Sequence, residues 1–168
     1  MILVACETAG NYPPGLPGKN LALLGYIPGR LRLALSAMRL PAFRRTPVAF
    51  GWMAKHGMPD DLVGKWLSGP WSDPAILRDA GRYIRGTREG RRRLVAATRE
   101  LRRFAGPVTV VWAAEDRVMP MSEGEALAAA FPRSRLLIVE DSYVLVPLDQ
   151  PRRLAEIIDA HMNRPDAG

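Results

Sequence analysis

The chain has 168 residues, 48% of them apolar and 7% aromatic, with 24 Lys and Arg against 17 Asp and Glu for a net charge of +7, and one cysteine, Cys6. A chain of this length can bury roughly two-thirds of the surface it exposes when unfolded, so a core needs neither disulfides nor metal, and a lone cysteine cannot form an intrachain bridge and suits a reducing, cytoplasmic compartment. The longest apolar runs fall short of the ~20 residues of a membrane helix, and no basic region leads the apolar start, so neither a membrane span nor a signal peptide is expected.

The charge is uneven. Residues 1–104 carry 18 basic and 7 acidic side chains, net +11, and residues 105–168 carry 6 and 10, net −4. Only Lys19, Lys55 and Lys65 are lysines and the other 21 basic residues are arginine, a usage that a GC-rich coding sequence produces as readily as a nucleic-acid interface.

Met1-Ile2-Leu3-Val4-Ala5-Cys6 is an unalternated apolar run and reads as a strand buried on both faces, as in parallel sheets. A turn-rich stretch follows, from Gly10 to Gly18. From Asn20 to Phe104 the pattern is helical, interrupted by Pro and Gly, and predicts four to six short helices with no strand among them. Pro59-Asp60-Asp61 and Ser72-Asp73-Pro74 are helix starts that place carboxylates at the positive end of the macrodipole. The last helix, about Glu89 to Phe104, aligns Leu94, Val95, Leu101 and Phe104 on one side among arginines.

After Gly106-Pro107 strands and helices alternate. Val108 to Ala113 is a second buried strand, Ser122 to Phe131 a helix with Ser122 as N-cap and Glu125 at the capping-box position, Leu136 to Val139 a third strand, and Pro151 to His161 a closing helix with Leu154, Ile157 and Ile158 inward. This order implies parallel strands joined by right-handed crossovers, an α/β architecture. The tail from Asn163 to Gly168 is expected to be disordered.

Two acidic residues fall where open α/β sheets keep their chemistry, beyond the carboxyl ends of strands: Asp116 in the loop after the second strand and Glu7 directly after the first. Taken alone, each reads first as a loop carboxylate or a helix-capping group.

The segment Pro107 to Pro120, with Val-Thr-Val-Val-Trp-Ala-Ala-Glu-Asp-Arg-Val-Met-Pro at its heart, resembles strand seven and the acid loop of the α/β-hydrolase superfamily, in the branch that bears a helical cap and includes haloalkane dehalogenases and epoxide hydrolases. Phe131 to Pro151 resembles strand eight, the catalytic-histidine loop and the start of the last helix. Residues 1–18 resemble strand six and the entry to the cap, residues 19–104 the cap, residues 105–163 the C-terminal core segment, and residues 164–168 form a tail. The resemblance implies a hydrolase of small-molecule esters, epoxides or halides, with Asp116 at the acid position and Glu7 at the position that some relatives use instead.

That resemblance covers the family's C-terminal portion only, and it implies a truncated member that is inactive alone. The 168 residues contain neither Gly-x-Ser-x-Gly nor an Asp-centred equivalent. The aligned histidine position holds Val144, with Tyr143 where a glycine usually precedes it, and valine has no proton to exchange. Met1 falls inside a strand-like run, so either the gene is a remnant or its true start lies upstream. An unpaired edge on Met1 to Cys6 is expected to promote self-association.

Other chemistry finds little support. His161 reads as a solvated residue of a last helical turn and His56, before Gly57, as a helix C-terminal residue. Cys6 reads as a small core residue, and one cysteine with two distant histidines offers no metal-ligand spacing, so no metal or cofactor is expected. Arg78, Arg82, Arg85, Arg88, Arg91, Arg92, Arg93, Arg99, Arg102 and Arg103 supply the alternative function, a basic module for nucleic acid or an acidic partner. With only Tyr83 between Trp71 and Phe104 as an aromatic, they read first as the solvated face of the cap.

Overall fold

A computed structural model describes residues 1–24 and 29–163. Three strands, β1 (Ile2–Val4), β2 (Val108–Ala113) and β3 (Ser134–Val139), form one parallel sheet in the order β1-β2-β3. Between β1 and β2 the described residues form six helices, α1 (Gly15–Leu24), α2 (Arg30–Ala37), α3 (Pro41–Arg44), α4 (Asp60–Ser72), α5 (Pro74–Arg85) and α6 (Thr87–Glu100), and a 3₁₀ turn at Leu101–Arg103. Helix α7 (Met121–Ala129) crosses from β2 to β3, and α8 (Val146–Asp149) and α9 (Pro151–Met162) close the chain.

Strand β2 is the centre of the core. Its β-branched run makes it a good strand, ladders on both sides satisfy its backbone, and Val108 to Ala113 are buried throughout. Trp112 is fully buried, and its indole N–H donates to the Met119 carbonyl at 3.0 Å. Helix α7 lies directly on that ring because Gly124 lacks a side chain: a Cβ there would sit 2.6 Å from the indole. Val118, Met119, Phe131 and Val144 complete the cluster on this face, and Val139, Val146, Leu154 and Ile157 pack on the other.

Several sequence expectations change. Strand β1 is shorter than its apolar run and only half-buried, because β2 covers one edge and no strand covers the other among the described residues. Helix α1 opens at Gly15, inside the stretch read as turns. The segment around Pro47 to Lys55, read as helical, is a succession of turns such as Ala49 N–H to Thr46 C=O at 3.0 Å; Pro47 has no N–H to continue a helix. Asp73 caps α5 by accepting from the Ala75 N–H at 2.7 Å, but α7 follows Pro120 without a side-chain cap, so Ser122 and Glu125 form no capping box. Ile158 on α9 is 39% exposed rather than inward.

His161 is also corrected. It is buried, not solvated, and its Nδ1 lies 2.9 Å from the Thr109 hydroxyl. Its Nε2 lies 3.1 Å from the Met1 amine, at the amino end of the sheet. The tail from residue 164 onward lies outside the described residues.

Candidate active site

The carboxyl ends of the three strands meet the helical segment, and each delivers a loop. After β1, Ala5 has φ of +36° and turns the chain sharply toward Glu7 and Thr8. The Thr8 hydroxyl donates to the Glu123 carboxylate of α7, and Asn11 Nδ2 donates to the Val118 carbonyl at 2.8 Å. These bonds fasten the loop after β1 to the loop after β2 and to α7.

In that second loop Asp116 folds its own backbone around one oxygen. Oδ1 accepts the Val118 and Met119 N–H groups, both at 2.8 Å, the short-range pattern by which an Asp builds a turn. Oδ2 is buried and has no hydrogen-bond partner among the described residues. Burial holds the carboxyl above its ordinary pKa and the two N–H donors pull it back only in part. A carboxylate oxygen shut from water without a donor is costly, so the geometry calls for a donor at Oδ2.

The position that the α/β-hydrolase resemblance assigns to a histidine is held by Val144. It is buried, in one apolar cluster with Val118 and Met119, the two residues whose N–H groups hold Asp116. All three also wall a cavity of about 410 Å³ between the strand ends and the helices. Residues of α1, α2, α3, α5 and α6 and of the Val48 to Met53 turns contribute to its wall, which is apolar apart from Glu7, Tyr12, Asn20, Tyr83 and Thr87. Glu7 is thus a cavity residue, and burial raises its pKa. Cys6, half-buried, has its thiol pushed up by burial and so away from the reactive thiolate.

The loop after β3 is clamped to the helical segment by a residue the sequence did not single out. Asp149 is buried, and its Oδ2 accepts the Lys55 and Tyr143 N–H groups at 2.9 Å each while Oδ1 accepts the His56 N–H at 3.0 Å. The Leu145 N–H donates to the Met53 carbonyl at 2.8 Å beside it. His56 therefore sits in a turn and not at a helix end, with Nε2 3.0 Å from Asp141 Oδ2. Lys55 Nζ bridges Asp141, at 2.8 Å, and Glu115. The Lys55 ammonium, then the His56 ring, hold the Asp141 carboxyl below its usual range.

The arginines lie elsewhere. Arg82 pairs with Asp79 at 2.8 Å, Arg93 with Glu89 at 3.2 Å and Arg103 with Glu100, each along its own helix or turn, and no arginine is among the described residues that wall the cavity. The side chain of Arg88 lies outside the described residues. No group of three or more His, Cys, Asp or Glu among the described residues is placed to hold a metal ion, and no described helix is long and apolar enough to cross a membrane.

The chain is 28% identical over 120 residues to an uncharacterized hydrolase of Bacillus subtilis (strain 168), YugF, an alignment covering 64% of this chain and 42% of that protein. It superposes on a 2-hydroxy-6-oxo-6-phenylhexa-2,4-dienoate hydrolase of a Rhodococcus strain with a TM-score of 0.64 at 17% identity, covering 79% of this chain and 47% of that one. The chain carries the C-terminal portion of the α/β-hydrolase fold. An α/β-hydrolase fold protein of Burkholderia ambifaria adds a match at 25% identity and a TM-score of 0.55, over 86% of this chain and 48% of the other. No family model matches. The chain thus spans somewhat under half the length of these relatives, and within the α/β-hydrolase fold its three strands, carrying Glu7, Asp116 and Val144 beyond their ends, supply part of the sheet.

Proposed function

We propose that this chain is the pocket-forming part of an α/β-hydrolase-fold protein for apolar small molecules, with Asp116 at the acid position, and that the 168-residue chain binds such molecules without turning them over. The observation that carries the proposal is an apolar cavity walled by Val144 and by Val118 and Met119, the two residues whose N–H groups hold Asp116, an acid whose Oδ2 has no hydrogen-bond partner among the described residues. In a serine or aspartate hydrolase the acid orients an imidazole that moves the proton; a valine side chain neither accepts nor donates one. Glu7 is the alternative acid, since it borders the cavity directly. By resemblance the pocket suits an ester, an epoxide or a halide.

The test is turnover. The purified chain is expected to release no p-nitrophenol from p-nitrophenyl butyrate above background and to leave styrene oxide unhydrolysed. Hydrolysis that disappears in Asp116→Ala would overturn the proposal. In Val144→His an imidazole enters beside Asp116, and NMR titration should find its pKa above the ordinary ~6.5, a rise that Asp116→Asn removes. An imidazole with an unshifted pKa would show that Asp116 is not positioned to orient a base.

A further inference from the structure

A second cleft, of about 510 Å³, opens on the helical half between the end of α2, Arg44 of α3 and one face of α4. Among the described residues its wall shares only Met38 with that of the apolar cavity. Asp60, Gly64, Leu67, Ser68 and Trp71 follow one another at helical spacing along the α4 face. Two buried N–H groups of the wall residues, Arg44 Nε and Trp71 Nε1, have no hydrogen-bond partner among the described residues. Asp60 meets part of the Arg44 charge: its Oδ1 lies 3.2 Å from Nη2, but the Asp60 side chain is 59% exposed against 12% for the arginine. The neighbouring guanidinium groups lack even that. Arg39 and Arg32 both lie over the Trp71 ring, with Cζ 4.0 and 5.8 Å from its centroid, and neither pairs with a carboxylate of another described residue.

We propose that this cleft binds a dianionic phosphoryl group, as free phosphate or a small phosphate monoester, between Arg39, Arg44 and the Trp71 indole. N–H groups shut from water without an acceptor are costly, and both of these belong to side chains that wall the same cleft. Charge points to the same occupant. Three guanidinium groups against the Asp60 carboxylate leave a net +2, which a phosphoryl dianion cancels and a carboxylate only halves. A guanidinium fork matches phosphate oxygens, and a tetrahedral anion accepts from several directions at once, whereas a carboxylate offers its oxygens in one plane. Ser68 and Ser72 leave this role to the N–H groups, since their hydroxyls donate to the Lys65 and Ser68 carbonyls of α4 at 2.7 and 3.0 Å. Arg39 is exposed, and its stacking on Trp71 restrains a side chain that would otherwise lose much freedom on binding.

The proposal uses none of Glu7, Asp116 and Val144, so it stands or falls apart from the hydrolase reading, and NMR on the isotopically labelled full chain tests it. The indole N–H signals of Trp52, Trp66, Trp71 and Trp112 are followed at pH 7.5 and constant ionic strength as inorganic phosphate, phenyl phosphate or acetate is added, with Trp71→Phe identifying the Trp71 signal. Phosphate is expected to move the Trp71 signal along a saturating curve and to leave in place that of Trp112, which is bonded to the Met119 carbonyl. Acetate should bind more weakly. Arg39→Gln changes an exposed side chain outside the core and should weaken phosphate about tenfold, equivalent to about 1.4 kcal/mol; Arg44→Gln should weaken it at least as much. Phenyl phosphate that binds more tightly than phosphate assigns the cleft to a monoester, and weaker binding assigns it to the free anion. A Trp71 signal that does not move or moves without saturating, acetate binding equal to phosphate, or an unchanged phosphate affinity in Arg39→Gln overturns the proposal.

Discussion

In the strand half of the molecule Val108, Val110, Val111, Trp112 and Ala113 are fully buried, whereas in the helical half Leu21, Leu23, Leu33, Leu40, Val48 and Trp66 are each more than 40% exposed. Helices α2 and α3 contain no buried residue at all. The strand half spends its apolar side chains on itself: a parallel ladder flanked by α7 and α9 leaves two packed clusters. The helical half turns many of its apolar side chains to a cavity and to solvent. An apolar surface of that kind marks a place where something else belongs, a ligand or a partner, whereas a packed core marks only stability. The difference places the packed core in one half and leaves the open apolar surface to the other.

The comparison breaks most visibly if two tryptophans respond alike. Trp112 is fully buried against Gly124, while Trp66 is half-exposed and meets Phe50 edge-on at 6.5 Å between ring centroids. Trp112→Ala is expected to cost about 3–5 kcal/mol, the range for emptying a core of its largest side chain. Trp66→Ala should cost about 1 kcal/mol or less, near the limit for a residue in partial contact with solvent. Urea unfolding curves give both numbers, and equal losses would show that the helical half is as tightly packed as the sheet.

A middle-sized effect is expected at the seam. Asp149→Asn keeps the side-chain volume but replaces a carboxylate oxygen with an NH₂ group. If the amide keeps its oxygen toward the His56 N–H, its NH₂ faces the Lys55 and Tyr143 N–H groups, donor against donor; turned over, it faces His56 instead. Losing a charge-assisted acceptor and leaving buried donors unpaired costs about 2–3 kcal/mol. The loss should be local: trypsin is expected to cut after Lys55 in the variant at urea concentrations where the buried Trp112 fluorescence is unchanged. Cleavage and fluorescence that move together would show instead that the two halves unfold as one unit.

How much of this is written in the sequence depends on the range of the forces involved. Strands β2 and β3 are legible because of their consecutive β-branched and aliphatic residues, which in β2 announce a two-sided burial, and α4 and α5 because Pro59 and Asp73 punctuate their starts. Asp116 stands out because it follows a strand end, whereas Val144 is marked only by the resemblance of its loop to the α/β-hydrolase histidine loop. The role of Asp149 is not, because its donors at Lys55 and His56 stand more than 90 residues away and nothing local in Pro-Leu-Asp-Gln-Pro reports them. His161 misleads for the same reason: a histidine in a last helical turn looks solvated until tertiary packing brings Thr109 against it. The turns around Pro47 escape because Val48, Phe50, Trp52 and Met53 mimic a helical stripe while facing the cavity and the core from irregular backbone.

The smallest effect distinguishes the two carboxylates on either side of the seam, and it does so by sign. Asp141 is exposed, and the hydrogen bond from Lys55, followed by that from His56, lowers its pKa; Asp116 is largely buried, and its pKa is raised. A carboxyl whose folded pKa is depressed adds stability above its unfolded value, about 3.9, and that stability is lost as pH falls through the lower folded value. One whose folded pKa is raised does the reverse, and folding weakens as pH climbs from the unfolded value to the folded one. Asp141→Asn should therefore lower the urea midpoint by less than Asp149→Asn does, at pH 7 but not below its folded pKa, and less in 1 M salt than in 0.1 M because both partners reach solvent. The positive φ of Asp141, +55°, is one that asparagine also tolerates, so the variant tests charge and not backbone strain. A midpoint shift that persists at low pH would mean that Asp141 holds its loop through geometry, and the seam would then rest on Asp149 and Asp141 alike.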